Sequence, residues 1–585
     1  MTYLDETTAN TVQRAYGTIG QITANRRITM RMFRWLAVML VFGFGLVAAK
    51  SPLTDVHWDS VFYLYKAKLL VETPVYKGYV EHADRIAREV MEDAWDKELS
   101  YFPQAYWYFT RFGHLTTLAA FVALGDNGRE SLLFAHYGYG FMWVLSCALL
   151  GILAVQLARF LSVKRGHVVT GAVVSASLFL ASGQSWHMIG NLVAEVPALF
   201  FVAIALNALV ACQLRKSWSF AVLAAVATFI VYACRTDFLW IVLAFGSLLA
   251  VAPYVGLTAR VWYQGLIAAG AVTLALYAGY AALFHPLGDP RVFLHLWSIL
   301  RAEYQSAIPP DSFARLWIVA GGLLWVGALL ALPAARERAL ARFGLLWLLL
   351  LALPWILQAL AGGWAQARML TAIVPALFVL SAAGWSVQFE KLKEKRDLPR
   401  AGMISAVLLL LLLVTYQRSY DALRILPGAW RLQYVRSYLR PDKYEQRDYP
   451  VENFARISST LYGDRGFKVV VLAPSANRDA EYVNLIRFFG PPHAPDRDLL
   501  AFEPQKVWRK GIEPRADDEY VVFKNYMVHG DVESLKNGSH RLFFLTKEST
   551  GNILGYSPWK FAVTPIVDKG EYRLLEATRE LSETD

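Results

Sequence analysis

SPLTDVHWDSVFYLYKAKLL, from Ser51 to Leu70, is a short acidic and aromatic stretch that follows the first long apolar run of the chain. It stands where a hydrophobic helix would just have left a membrane. Asp55 and Asp59 are four residues apart, so a helix through the stretch would carry both carboxylates on one face, with Tyr63 one turn further along. The plainer reading is a solvated helix start with an Asp cap. What surrounds the stretch decides between the two.

Of 585 residues, 56% are hydrophobic and only 18% charged, with 19 Trp, which is too apolar for a soluble enzyme of this length. Repeated runs long enough to cross a bilayer indicate a polytopic α-helical membrane protein. The net charge of +11 does not argue for a nucleic-acid partner, because the basic residues cluster between apolar runs, as they do in cytoplasmic loops. Cys147, Cys212 and Cys234 all lie within apolar runs, without metal-ligand spacing or an obvious disulfide pair, which argues against zinc or redox chemistry. Residues 1–32 are mostly polar and do not resemble a cleaved signal peptide, so they read as a cytoplasmic segment.

Working outward, Arg26, Arg27, Arg31 and Arg34 precede the run Trp35 to Ala49, which should therefore lead out of the cytoplasm. Residues 50–130 form a long first outer loop. It contains the opening stretch, an amphipathic piece from His82 to Trp95, and an aromatic segment from Ser100 to Gly125 that reads as an interfacial helix. Later runs alternate in direction: Ser131–Leu161, Val168–Ser182, Val193–Gln213, Phe220–Ala233, Phe238–Ala252, Gly265–Phe284, Phe313–Leu332, Leu345–Leu360, Leu370–Val387 and Met403–Tyr416. Every predicted inner loop after the first span carries a Lys/Arg cluster, and the count is about 11 spans within a domain covering residues 33–420. Residues 427–585 change to the composition of a soluble domain. FKVVVLAP, EYVVFKN, HRLFFLTK and EYRLLEAT read as strands and DAEYVNLIRFFG as a helix, giving an outward-facing α/β domain without a phosphate-binding glycine loop.

Asp59, Tyr63, Ala67 and Lys68, in the pattern D-S-x-x-Y-x-x-x-A-K, resemble the D-E-x-x-Y-x-x-x-A-R signature that follows the first span of C-type (GT-C) membrane glycosyltransferases. The branch concerned holds protein mannosyltransferases and the lipid A aminoarabinose transferase. FPQAYWYF, NLVAEVPALFF and QARMLTAIVP follow in the family's order, and the resemblance covers roughly residues 33–416. Ser60 departs from the pattern, standing where the family often has Glu. The resemblance implies an inverting transfer at the outer face, from a polyprenyl-phosphate-linked sugar donor to a glycolipid or cell-envelope polysaccharide such as lipopolysaccharide. The protein would sit in a bacterial inner membrane with its active site and C-terminal domain in the periplasm.

In that chemistry a carboxylate takes the proton of the acceptor hydroxyl, and cationic side chains neutralise the leaving phosphate. Asp59 or Asp55 would be the base. Glu195, at the mouth of an apolar span where a charge is costly, would either bind or orient the acceptor, with His187 and Tyr63 beside it, or form a buried ion pair that holds helices together. Arg368 matches the family's late arginine and is the leading candidate for the donor phosphate. Lys68, Arg111, Arg235, His295, Arg301 and Tyr304 are further outward-facing candidates, although Arg235 with Asp237 could equally be a structural ion pair at a hairpin tip. No cofactor is fixed by the sequence, a divalent cation being the one addition this chemistry could take. Two rivals stand beside this reading. A transporter or flippase for a lipid-linked sugar would show inverted repeats with charges near mid-membrane, and an inactive scaffold of the same fold would tolerate loss of Asp55, Asp59 and Glu195.

Overall fold

In the computed structural model the described residues are 55–72, 111–163, 166–180, 191–257, 259–283, 321–360, 369–395, 448–463, 468–472, 499–502, 521–523, 526–528, 540–546, 561–567 and 572–579, with isolated positions in 37–48, 182–189 and 485–491. Arg368, His187, His295, Arg301 and Tyr304 lie outside them, as do the expected pieces His82–Trp95 and Met403–Tyr416. Among the described residues four helices are long and apolar enough to cross a membrane: Gly128–Phe160, Glu195–Arg215, Ala339–Leu357 and Thr371–Leu392. Five shorter apolar helices accompany them. The chain is an integral membrane protein built mainly of helices.

The helices follow the apolar runs. Described positions in 37–48 are helical (α1), and α2 spans Trp58–Glu72, α3 Phe112–Val122, α4 Gly128–Phe160, α5 Gly166–Leu180, α6 Glu195–Arg215, α7 Trp218–Cys234, α8 Leu239–Val251 and α9 Tyr263–Leu283. Then come α10 Leu324–Ala331, α11 Ala339–Leu360 and α12 Val374–Lys395. The Asn127 side chain accepts from the amides of Arg129 and Glu130 and so caps α4. α1 packs antiparallel to α4, because Gly43 lies against Val144 and Gly140 against Val47, with Phe44 stacked on Phe141 at 5.2 Å. That is the opposed direction the sequence predicts for these two runs.

Small residues let the later helices touch backbone to backbone. A Cβ on Gly384 would fall 2.0 Å from the Gly327 carbonyl oxygen, and one on Gly171 would fall 2.2 Å from that of Ala382, so α12 is pressed against both α10 and α5. Between lipid-immersed helices, where apolar burial contributes little, such close approach supplies the dispersion that holds the bundle.

One expectation fails at the opening stretch. Asp55–His57 is a strand, β1, and the helix begins only at Trp58, so Asp55 does not share a helix face with Asp59 and Tyr63. The cause is a partner far along the chain. β1 pairs antiparallel with β2, Asp448–Pro450, in the register Asp55 with Pro450, Val56 with Tyr449 and His57 with Asp448.

β2 leads directly into α13, Val451–Gly463. Beyond it, β3 (Lys468–Leu472), β4 (Leu499–Phe502), β7 (His540–Thr546), β8 (Phe561–Val567) and β9 (Arg573–Arg579) form one mixed sheet in the order β4-β3-β7-β9-β8. β3 runs parallel to both β4 and β7, whereas β9 is antiparallel to β7 and β8. β5 (Val521–Phe523) and β6 (Tyr526–Val528) make a separate antiparallel pair. α13 packs on this part through Phe454 against Tyr572, 4.9 Å between ring centroids, and through Asn453, whose Oδ1 accepts from the Tyr572 amide at 2.8 Å.

Candidate functional site

Four segments converge at the end of the bundle that carries the β1–β2 pair: α2, the start of α3, the start of α6 and the end of α7. Each is placed by a specific contact. Ser60 of α2 donates to Asn191 Oδ1 at 3.3 Å and accepts from the Leu192 amide at 3.2 Å, fixing the helix to the turn that enters α6. The residue that departs from the sequence signature is thus a buried anchor. Gly113 lets α3 press on the last turn of α7, since a Cβ there would lie 3.0 Å from the Ala233 carbonyl carbon.

Tyr63 is buried on α2, and its hydroxyl accepts from Arg111 Nη1 at 2.7 Å, with the guanidinium 5.7 Å from the ring centroid. The His114 ring meets Tyr63 edge-on at 4.4 Å, and His114 Nδ1 is 2.8 Å from the Tyr139 hydroxyl of α4. Arg235 follows the last turn of α7 and is almost wholly buried. Its Nη1 meets Glu195 Oε1, while Nε and Nη2 hold the two Asp237 oxygens at 2.8 and 3.0 Å. Glu195 is fully buried in the first turn of α6 and Arg235 follows the last turn of α7, so the two antiparallel helix dipoles favour the charge each carries. The start of α3, which carries Arg111 and His114, presses through Gly113 on Ala233 and Cys234 at the end of α7, and so sets the two halves side by side.

Of the residues singled out in the sequence, Tyr63, Arg111, Glu195 and Arg235 therefore come together. The backbone places Asp59 one turn before Tyr63 on α2. Lys68 goes elsewhere: its ammonium donates to the main-chain oxygens of Phe488 at 3.2 Å and Gly490 at 2.7 Å. His114, Tyr139 and Asn191 were not legible as partners. The available signal was the Arg111–His114 spacing, which places both on one face of a helix start. Among the described residues no three His, Cys, Asp or Glu side chains gather as a metal site would require.

Lys66 is a further buried charge on α2, outside the apolar spans, and burial pushes its ammonium down to about 7 from 10.5. The unfolded chain keeps that proton up to the higher value and the folded chain releases it near the lower one. Folding is therefore opposed below the folded value, and stability rises with pH between the two. Wild type should gain about 1.4 kcal/mol relative to Lys66→Met for each pH unit between about 7 and 10.5, and nothing further beyond. Thermal unfolding in detergent at a series of pH values reads this directly, and parallel curves for the two proteins would contradict it.

No family model matches the sequence, and no curated protein does. Solved structures do. ArnT from Cupriavidus metallidurans bound to undecaprenyl phosphate superposes with a TM-score of 0.52 at 11% identity, covering 93% of this chain and 98% of that one. The apo form of the same protein gives 0.53 at 12% identity, covering 94% and 98%. The Archaeoglobus fulgidus oligosaccharyltransferase tethered to an acceptor peptide gives 0.47 at 12% identity, over 88% of this chain and 69% of that one. Likeness at this identity is likeness of fold, and it runs nearly end to end in ArnT. The chain has the fold of ArnT.

Proposed function

We propose that the protein transfers a sugar from a polyprenyl-phosphate-linked donor to an extracytoplasmic glycolipid or cell-envelope polysaccharide, with inversion at the anomeric carbon. The observation that carries this reading is the buried cluster Tyr63–Arg111–His114 with Glu195–Arg235–Asp237, assembled one turn from Asp59 on a fold shared with ArnT, a protein whose structure holds undecaprenyl phosphate. Asp59 takes the proton of the acceptor hydroxyl as its oxygen bonds to the anomeric carbon. The bond from that carbon to the phosphate oxygen breaks, and the polyprenyl phosphate leaves with the electron pair. Cations must meet that phosphate in a place shielded from water, and Arg111, with Arg368 from the late turn, is suited to the task. Glu195 orients the guanidinium of Arg235 and the acceptor side of the site.

The basic loops support an N-terminus in the cytoplasm, and the reading places the protein in a bacterial inner membrane with the cluster and residues 427–585, as a domain of their own, in the periplasm. The test is transfer from a radiolabelled polyprenyl-phosphate-sugar pool to endogenous lipid and polysaccharide in membranes carrying the wild-type protein. Label appearing in an extracytoplasmic acceptor only when the protein is present supports the reading. Label that merely changes leaflet supports a flippase instead, and no change in either supports a scaffold.

A further inference from the structure

The acid-bearing segment is held from both sides by the part of the chain that follows residue 447. Before Asp59, β1 is zipped to β2. After it, Lys68 donates to the carbonyl oxygens of Phe488 and Gly490. The two fastenings belong to one packed body: β2 runs straight into α13, Ser458 of α13 donates to the Ile486 carbonyl oxygen at 2.8 Å, and a Cβ on Gly490 would fall 2.6 Å from the Tyr462 ring of α13. The same body rests on the start of α4, where Arg129 pairs with Glu452 and Gly128 lies against Phe488 and Phe489. On its other side α2 is pinned to the bundle by Ser60 and Tyr63.

Resting on the reading of Asp59 as the base, we propose that the C-terminal domain is a clamp that sets the position of Asp59, and that Lys68 is its principal positioning residue. Physical need for such a device is plain. A two-strand pair is marginal alone, and α2 has 15 residues, about the length at which an isolated helix is only marginally stable in water. A base must be held to within roughly 0.5 Å of its working place, and charge-assisted bonds from an ammonium to two carbonyls supply that restraint. The domain would then contribute to the rate of transfer and not mainly to the capture of acceptor.

The test uses the full-length protein in lipid nanodiscs, with Lys68→Met, Lys68→Arg and Tyr449→Pro, the last breaking the β1–β2 ladder opposite Val56. Amide exchange over residues 55–63 should quicken about tenfold in Lys68→Met and Tyr449→Pro, and stay closer to wild type in Lys68→Arg. The kcat for sugar transfer should fall about tenfold in the first two, with the KM for donor and acceptor unchanged. Unchanged exchange overturns the clamp, as does quickened exchange with full kcat. A rise in donor KM alone would make Lys68 a ligand of the donor and also overturn it. Exchange is read without any substrate, so absence of transfer by the wild-type protein would defeat the glycosyltransferase reading while the exchange result still decides whether the domain holds the segment.

Discussion

Asp59→Asn is expected to lower sugar transfer by about 10²–10⁴-fold, the usual worth of a positioned general base, while leaving the protein folded and able to bind donor. Asn has the shape of Asp and keeps its hydrogen-bonding reach, so the loss would isolate proton acceptance from packing. The helix favours this residue over its neighbour. Asp59 lies in the first turn of α2, where the N-terminal dipole favours an ionised carboxylate, and of the residues after it on that helix Ser60 is anchored to the turn entering α6 and Tyr63 is bonded to Arg111. Asp55 stands in β1 opposite Pro450. Asp55→Asn should therefore stay within a few-fold of wild type, measured as turnover per folded molecule in the same nanodiscs. A large loss with Asp55→Asn and little with Asp59→Asn would move the base to the strand.

Removing Arg235 should cost the most in stability. Arg235→Met takes the guanidinium away from Glu195, whose carboxylate is fully buried at the start of α6, and breaks the two bonds to Asp237. Losing one partner of a buried pair costs about 3–5 kcal/mol, most of it the penalty on the charge left behind. Pairing the change with Glu195→Leu should recover a large part of the loss, because a buried pair replaced by apolar groups is often close to neutral. Thermal unfolding in detergent compares the two variants. A double variant no more stable than the single one would show that Glu195 draws its stabilisation from elsewhere. Transfer should be lost in both, because the second change restores packing and not the charges that order the site.

Much of the site could be read from residue order. The expected hairpin around Arg235 and the acid entering a span at Glu195 are local features of the hydrophobic pattern, and antiparallel neighbouring helices bring the end of one beside the start of the next. Asp59 and Tyr63 share a face because helical spacing alone dictates it. What was not legible depends on distant partners. The strand at Asp55 exists because residues 448–450 lie beside it, nearly four hundred positions later, and local spacing gave a helix there because Asp55, Asp59 and Tyr63 fit a helical repeat equally well. Lys68 was expected to face the donor phosphate, yet a helix repeat cannot say which side will be covered by a later domain, and that domain's carbonyls are what it meets. His114 and Tyr139 sit within aromatic, apolar runs that look alike from one turn to the next, so their pairing became visible only once α3 lay on α4. The count of about 11 spans rests on the apolar runs, with the Lys/Arg clusters between them as a check, whereas four helices among the described residues are long and apolar enough to cross a membrane.

The central claim is a group transfer at the outer end of the bundle, and the most direct measurement is the stoichiometry of that transfer. Purified protein in nanodiscs would be given a polyprenyl-phosphate-linked sugar and an acceptor glycolipid, with released polyprenyl phosphate and glycosylated acceptor both quantified and the anomeric configuration of the new linkage determined by NMR. One polyprenyl phosphate released for each sugar transferred, with inverted configuration, is the result expected. Donor that stays intact while moving between leaflets, or a retained configuration, would contradict the account.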